Sequence, residues 1–349
     1  MGSVNETPPR APGTGSVIGT GTGTGTGIGT GTGIGTVAVI GETLIDLLPL
    51  DGDEYQAVPG GSPANVAVGL ARLGVPVRMA ARISGDAPGV ILRRRLYEAG
   101  VDMRGVVAAA EPSSLALISH GPGGPGYDLR LHGTADWQWT EGELERLEAG
   151  SLSALHVGSL AAVLPPGAHE VTAFVRRVRA TATITYDPNV RPEHMAPVAD
   201  ARARIRTLTG LADVVKLSDA DLAWLAPGVP PATFAESAVA AGAAVAVVTR
   251  GSDGAVAACA AGGSFEVAAV PVRVVDTVGA GDAYMSALLA GLHDRGLLGA
   301  GRRDSLRAID GETLHTVLRT AALAAAITCG RRGSDPPTGA DLDALAARR

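Results

Sequence analysis

Cysteine is nearly absent. The 349 residues hold two, Cys259 and Cys329, and neither has a partner at CxxC spacing. Two such thiols cannot build a disulfide framework, a zinc ribbon or a thioredoxin-like redox pair. A reducing, cytoplasmic setting is the expectation. Lysine is rarer still: Lys216 is the only one among 29 basic residues. A P-loop requires GxxxxGK[ST], and Lys216 is followed by Leu217, so a Walker A nucleotide site is excluded. Basic charge is also short, with 29 Lys+Arg against 35 Asp+Glu and a formal net charge of -6. Nothing here would neutralise a nucleic-acid backbone. No apolar run approaches the roughly 18 residues that suggest a transmembrane helix, so no membrane partner is expected. The seven His form no HExxH, which argues against zinc. Aromatics are only 3% of the chain. Trp137 and Trp139 alternate at strand spacing, which fits packing better than sugar stacking.

What is present is ample core material, 46% hydrophobic against 18% charged. Length suggests about two domains, or one large domain with an appendage. Residues 1–36 hold 12 of the 48 Gly, largely in a Gly-Thr alternation. Such a segment has little to bury and is expected to be a disordered arm. Its GxG strings precede a strand instead of following one, so the dinucleotide-binding reading fails on order. From Val37 to the end, residues 37–349, the pattern is regular. Strands are expected at Val37–Ile40, Val75–Ala81, Ala154–Val157, Thr183–Asp187, Asp213–Leu217 and Ala244–Thr249. Helices are expected at Ala64–Leu73, Ala87–Glu98, Gly167–Ala180, Ala201–Thr209, Thr233–Ala241, Ala280–Arg295 and Glu312–Cys329. Alternating strands and helices imply an α/β fold with a mainly parallel sheet covered on both faces. Two segments break the rhythm, about 47–58 and 105–135. The second contains a hairpin pattern, Ser114–His120 and Tyr127–His132 around Gly121–Gly126. Together they read as a small β appendage, a lid.

Two strings could carry chemistry. Asp276-Thr277-Val278-Gly279-Ala280-Gly281-Asp282 precedes an apolar helical run. Gly279, Ala280 and Gly281 let backbone N–H groups approach a ligand, and a helix starting there turns its positive end outward. That suits an anion, or charge developing on a phosphoryl group. Asp282, in the first turn, can accept a proton from an attacking hydroxyl. An ordinary glycine turn with an acidic helix start is the plainer alternative. The other string runs from Pro59 through Gly60, Gly61, Ser62, Pro63, Ala64 and Asn65 to Gly74. It exposes backbone amides before a helix whose first turn carries Asn65. On its own it would more often be a Gly-Gly turn with a capping Asn.

These strings resemble the two diagnostic motifs of the PfkB (ribokinase-like) carbohydrate kinases. They stand in the family's order, about 210 residues apart. The likeness extends to Gly41-Glu42-Thr43-Leu44-Ile45-Asp46, Asp187-Pro188-Asn189-Val190-Arg191 and Val248–Gly254, and is strongest to the fructokinase-like branch. It implies a three-layer α/β/α sandwich with a small β lid, and ATP-dependent phosphorylation of a sugar hydroxyl. By this resemblance Asp282 is the general base, and Gly279, Ala280 and Gly281 form the anion hole. Asp46, Gly60, Gly61 and Asn65 bind sugar hydroxyls. Arg191 meets phosphate or an acidic sugar. Ser218, Thr249, Arg250, Gly251 and Gly254 contact ATP. Asp221 organises Mg²⁺ through water, although the family's Asn-x-x-Glu is here Ser218-x-x-Asp221. Asp276 and the turn Gly330–Gly333 correspond to a K⁺ site in many relatives. Ala322 stands where related chains carry Asn near adenine. A homodimer through the lid is the implied assembly. The rival readings are a kinase for an acidic sugar of the 2-keto-3-deoxygluconate type and a non-catalytic sugar- or nucleotide-binding protein.

Overall fold

The computed structural model describes residues 35–50, 53–121, 124–148 and 152–347. The expected arm at 1–36 lies outside the described residues except for Gly35 and Thr36. In chain order the strands are β1 (Thr36–Ile40), β2 (Leu44–Pro49), β3 (Tyr55–Gly60), β4 (Val77–Ala80), β5 (Arg82–Ser84), β6 (Val107–Ala109), β7 (Leu115–Gly121), β8 (Gly124–Arg130), β9 (Leu152–Gly158), β10 (Thr183–Asp187), β11 (Val214–Ser218), β12 (Val245–Thr249), β13 (Ala255–Cys259) and β14 (Ser264–Val267). The helices are α1 (Ser62–Arg72), α2 (Ala87–Glu98), α3 (Ala168–Val178), α4 (Val198–Leu211), α5 (Asp219–Leu225), α6 (Pro231–Ala240), α7 (Ala280–Asp294), α8 (Arg303–Arg307), α9 (Gly311–Cys329) and α10 (Gly339–Ala346).

Eight strands form the central sheet in the order β14-β13-β12-β11-β10-β9-β1-β4. Pairing is parallel from β4 to β12 and antiparallel through β13 and β14. Runs such as Val37-Ala38-Val39-Ile40 and Val245–Val248 are buried on both faces, as a sheet between helical layers requires. One layer centres on α7, which packs against α1 and α9. Small residues permit this approach: a Cβ on Gly69 of α1 would meet Ser286 Cβ of α7 at 2.7 Å. The other layer includes α3 and α4, whose Phe174, Val175, Ile205 and Leu208 fill the second face.

A second sheet, β3-β2-β7-β8, grows directly from the end of β1. It overlaps both expected lid segments but has different bounds. Pairing of β2 with β3 runs from Leu44↔Gly60 to Pro49↔Tyr55, so the sheet begins earlier than residue 47. The β7–β8 hairpin is tighter than the expected six-residue connection, since pairing reaches Gly121↔Gly124. Residues 105–114 lie largely outside this sheet. There β6 pairs with β5, and buried Arg82 donates to Glu111, to Glu143 and to the Ala135 carbonyl, which pins the segment to the body. Trp137 and Trp139 are not strand residues. Trp137 ends a 3₁₀ turn, and both indoles are buried in the core beside α3. The expected strand at 75–81 is β4, Val77–Ala80, and the separate short strand β5 follows it at Arg82–Ser84. The antiparallel β13–β14 edge was not anticipated.

Candidate active site

The parallel strands end together along one side of the sheet, the side where open α/β sheets bind ligands. A cavity of about 980 Å³ lies there, between that edge, the small sheet and the first turns of α1 and α7. Its walls come from segments scattered across the whole sequence.

Asp282 lines the cavity. Gly279 enters α7 in the left-handed region, with φ 78°, and places Asp282 in the first turn. Glycine is required there twice over, because a Cβ would also meet Ser334 Cβ at 2.7 Å. Asp282 is 8% exposed. Its Oδ1 accepts a hydrogen bond from Ser62 Oγ at 2.7 Å, and its Oδ2 one from Asn65 Nδ2 at 2.8 Å. The two glycine-bearing strings therefore meet in space. Pro63 opens α1 after Gly61, whose φ of 97° excludes most other residues. Asn65 Oδ1, buried and without a hydrogen-bond partner among the described residues, remains as an acceptor beside the carboxylate. Gly279, Ala280 and Gly281 line the cavity with Asp282.

Beneath the glycine turn lies a buried ion pair that sequence reasoning did not place in the site. Lys216 Nζ of β11 donates to Asp187 Oδ2 of β10 at 2.6 Å. Burial alone would lower the lysine pKa, but Asp187, Asp282 and Asp221 outweigh it and raise it. The signal was available, since this single lysine stands at a predicted strand end. Ser218 and Asp221 form a reciprocal capping box at α5. Asp221 Oδ2 accepts from Ser218 N and Oγ, and Oδ1 accepts from Val190 N at 2.7 Å. Asp221 thus ties the β10 end to the β11 end while its edge faces the cavity. Two residues at strand ends carry strained backbones, Ser159 after β9 with φ 55° and Asn189 after β10 with φ 40°, and both line the cavity.

One end of the cavity is polar. Asp46 of β2 lines it beside Gly61, Asn65 and Arg191. Burial pushes the Asp46 carboxyl up to about 7, against the pull of Arg95 and Arg191. Gly60 is a backing residue and does not line the cavity; a Cβ there would meet Asp46 Cγ at 2.8 Å. Arg95 donates to the Pro59 and Ser334 carbonyls and braces this wall. Glu42, missed as a site residue although its Gly-Glu string was noted, is buried, and burial raises its pKa. Arg191 donates to Asn189 Oδ1 at 2.7 Å and to the Val190 carbonyl.

Another part of the lining is apolar, with Val270, Val272, Val274, Ala322, Ala325 and Ala326. Thr249, Gly251 and Gly254 line the cavity as well. Arg250 does not reach the cavity: it donates to the Asp253 carbonyl and pairs with Glu266. Asp276 is also behind the wall. Its two oxygens accept Val278 N–H and Gly333 N–H, joining the glycine string to the turn after α9.

Polar side chains, an apolar stretch and an acid beside a glycine turn line one cavity. The pfkB family carbohydrate kinase model matches residues 35–340. The chain belongs to the pfkB family of carbohydrate kinases. This family member is 33% identical over 262 residues to a fructokinase of Rhizobium leguminosarum bv. trifolii, covering 74% of this chain and 80% of the relative. It is 32% identical over 288 residues to Escherichia coli fructokinase, covering 78% and 89%. In three dimensions it is similar to the Xylella fastidiosa fructokinase with bound ATP, with a TM-score of 0.81, 26% identity and coverage of 90% and 98%. A Vibrio cholerae O395 fructokinase in a fructose-, ADP- and calcium-bound form gives 0.76 at 25% identity, with coverage of 89% and 98%. The ribokinase-like architecture and a sugar-kinase activity follow from these matches. The reading as a non-catalytic binding protein is set aside. Among the described residues no helix is long and apolar enough to cross a membrane.

Proposed function

We propose that this kinase transfers the terminal phosphoryl group of ATP to a primary hydroxyl of fructose or a close relative, with Asp282 as general base. The observation that carries the reading is the meeting of Asp282 with Ser62 and Asn65 beside the α7 turn. That contact supports the reading because it joins the proposed proton acceptor to groups proposed to meet the sugar, beside the proposed anion site. Fructokinases among the relatives and structural neighbours support the choice of substrate.

In this mechanism the polar end receives the sugar. Asp46, Asn65 and the Gly61 backbone pair its hydroxyls as water leaves, since a buried unpaired hydroxyl costs about 1–3 kcal/mol. The small sheet acts as the lid that excludes water. The apolar lining takes the purine ring, and the stretch from Thr249 to Gly254 follows the ribose and phosphates. Asp282 removes the hydroxyl proton as that oxygen attacks phosphorus in line. Gly279, Ala280 and Gly281 hold negative charge at the positive end of α7. Mg²⁺ accompanying the nucleotide would neutralise phosphate charge. Asp221, through water, is its holder in this reading, and Asp187 Oδ1, buried and without a partner among the described residues, supplies a second acceptor. Asp276 is the residue assigned to K⁺. A homodimer through the lid would cover exposed Leu50 and Tyr55.

Arg191 keeps a second reading in view. It lines the sugar end, and its guanidinium would pair with the carboxylate of an acidic sugar. The deciding experiment measures ADP release with fructose, ribose, 2-keto-3-deoxygluconate and adenosine in parallel. Preference for fructose upholds the proposal. Strong preference for the keto acid moves the assignment to the second reading.

A further inference from the structure

The cavity floor poses an electrostatic difficulty. Asp187, Asp221 and Asp282 all line it, and a triphosphate must bring several more negative charges among them. Like charges a few ångströms apart cost several kcal/mol when water is displaced, on the order of 4 kcal/mol per pair near a protein surface. The arginines nearby are anchored at the sugar end. Arg191 is turned to Asn189 and Val190, and Arg95 to carbonyls behind the sugar end.

Lys216 is the cation in the right place. It is 3% exposed and lines the cavity. Its Nζ would lie 3.2 Å from a Cβ built on Gly281, directly against the turn proposed to hold phosphate. The ammonium has three N–H donors, and the bond to Asp187 uses one. His156, the other basic group packed beside it, is kept neutral by burial and by Lys216 itself, its pKa held down at about 3.

Building on the sugar-kinase reading, we propose that the Lys216 ammonium contacts the terminal phosphoryl group during transfer, with Asp187 as the residue that positions it. The sugar oxygen forms a bond to the terminal phosphorus, and the bond from that phosphorus to the bridging oxygen of the leaving diphosphate breaks. The hydroxyl proton passes to Asp282. Lys216 keeps its proton throughout and offsets charge on the equatorial oxygens. This role needs no Walker sequence: the lysine arrives from a strand end, facing a turn that arrives from a helix start.

The test compares wild type, Lys216→Met and the double variant Lys216→Met/Asp187→Asn. Steady-state kinetics are measured with ATP and fructose, and affinities for ATP, ADP and fructose by calorimetry. Loss of one preorganised donor to a developing charge lowers kcat on the order of 10²-fold, the expected result for Lys216→Met. ATP affinity should weaken relative to ADP, with fructose affinity retained. The double variant leaves no unpaired buried carboxylate, so it folds even if the single variant does not. It should stay as slow as the single one. Recovery of kcat in the double variant would show that Lys216 merely neutralises Asp187, and would overturn the assignment. So would an unchanged preference for ATP over ADP. The calorimetric comparison needs no turnover. A wild-type chain that phosphorylates no sugar would therefore sink the sugar-kinase reading, while binding still decides the lysine's role.

Discussion

Replacing Asp282 by Asn probes the site with little change in shape. The carboxylate accepts two hydrogen bonds, from Ser62 Oγ and Asn65 Nδ2. In Asp282→Asn the new amide oxygen can still accept one of them. Ser62, whose hydroxyl can rotate, can accept from the new NH₂. The local fold should persist, and the circular dichroism melt should move little. The proton acceptor, however, is gone. General-base loss costs about 10²–10⁴-fold in rate, or about 3–5 kcal/mol of barrier. A coupled assay for ADP release with fructose should therefore show kcat down by at least ~10²-fold. Calorimetric affinity for fructose should stay near wild type, because sugar hydroxyls are held mainly by other groups. A variant with near-normal kcat would refute the assignment of Asp282 as base. A variant that loses fructose binding but keeps kcat at saturation would assign it to substrate holding instead.

Three further outcomes are expected. Gly279→Ala forces a left-handed alanine, costing about 1–2 kcal/mol, and crowds Ser334, so urea melts should shift down and activity should fall; Gly279→Ala/Ser334→Gly should recover only the crowding part. Burial raises Asp46 from its ordinary range to about 7, so the folded state holds its proton more tightly than the unfolded one and loses stability as pH rises toward 7. Asp46→Asn should therefore raise Tm more at pH 8 than at pH 5 while impairing sugar binding, and an equal shift at both would contradict the burial argument. K⁺ added in place of a large organic cation should stimulate turnover if Asp276 serves a monovalent site, and identical rates would remove that assignment.

Much of this protein was legible in the chain itself. Buried strands such as Val37–Ile40 and Val245–Thr249 are continuous apolar runs, and α7 and α9 carry long apolar stretches, so local pattern determined the α/β alternation. Gly279 could be recognised because only glycine enters a helix so readily at that φ, and Asp282 because its place in the first turn follows from the glycine. Other parts could not be read locally. Trp137 and Trp139 alternate like strand residues, but Thr134 and the Leu131 carbonyl take the Trp137 indole N–H and help hold that segment in a turn. Arg250 reads like a phosphate ligand, yet its guanidinium closes its own turn. Sequence determined which residues can accept protons, cradle anions or pair ions. Tertiary structure alone decided which of them meet, because contacts such as Asn65–Asp282 span 217 positions and Lys216–Asp187 spans 29. Separations of that size are closed by sheet order and helix packing, which no local spacing encodes.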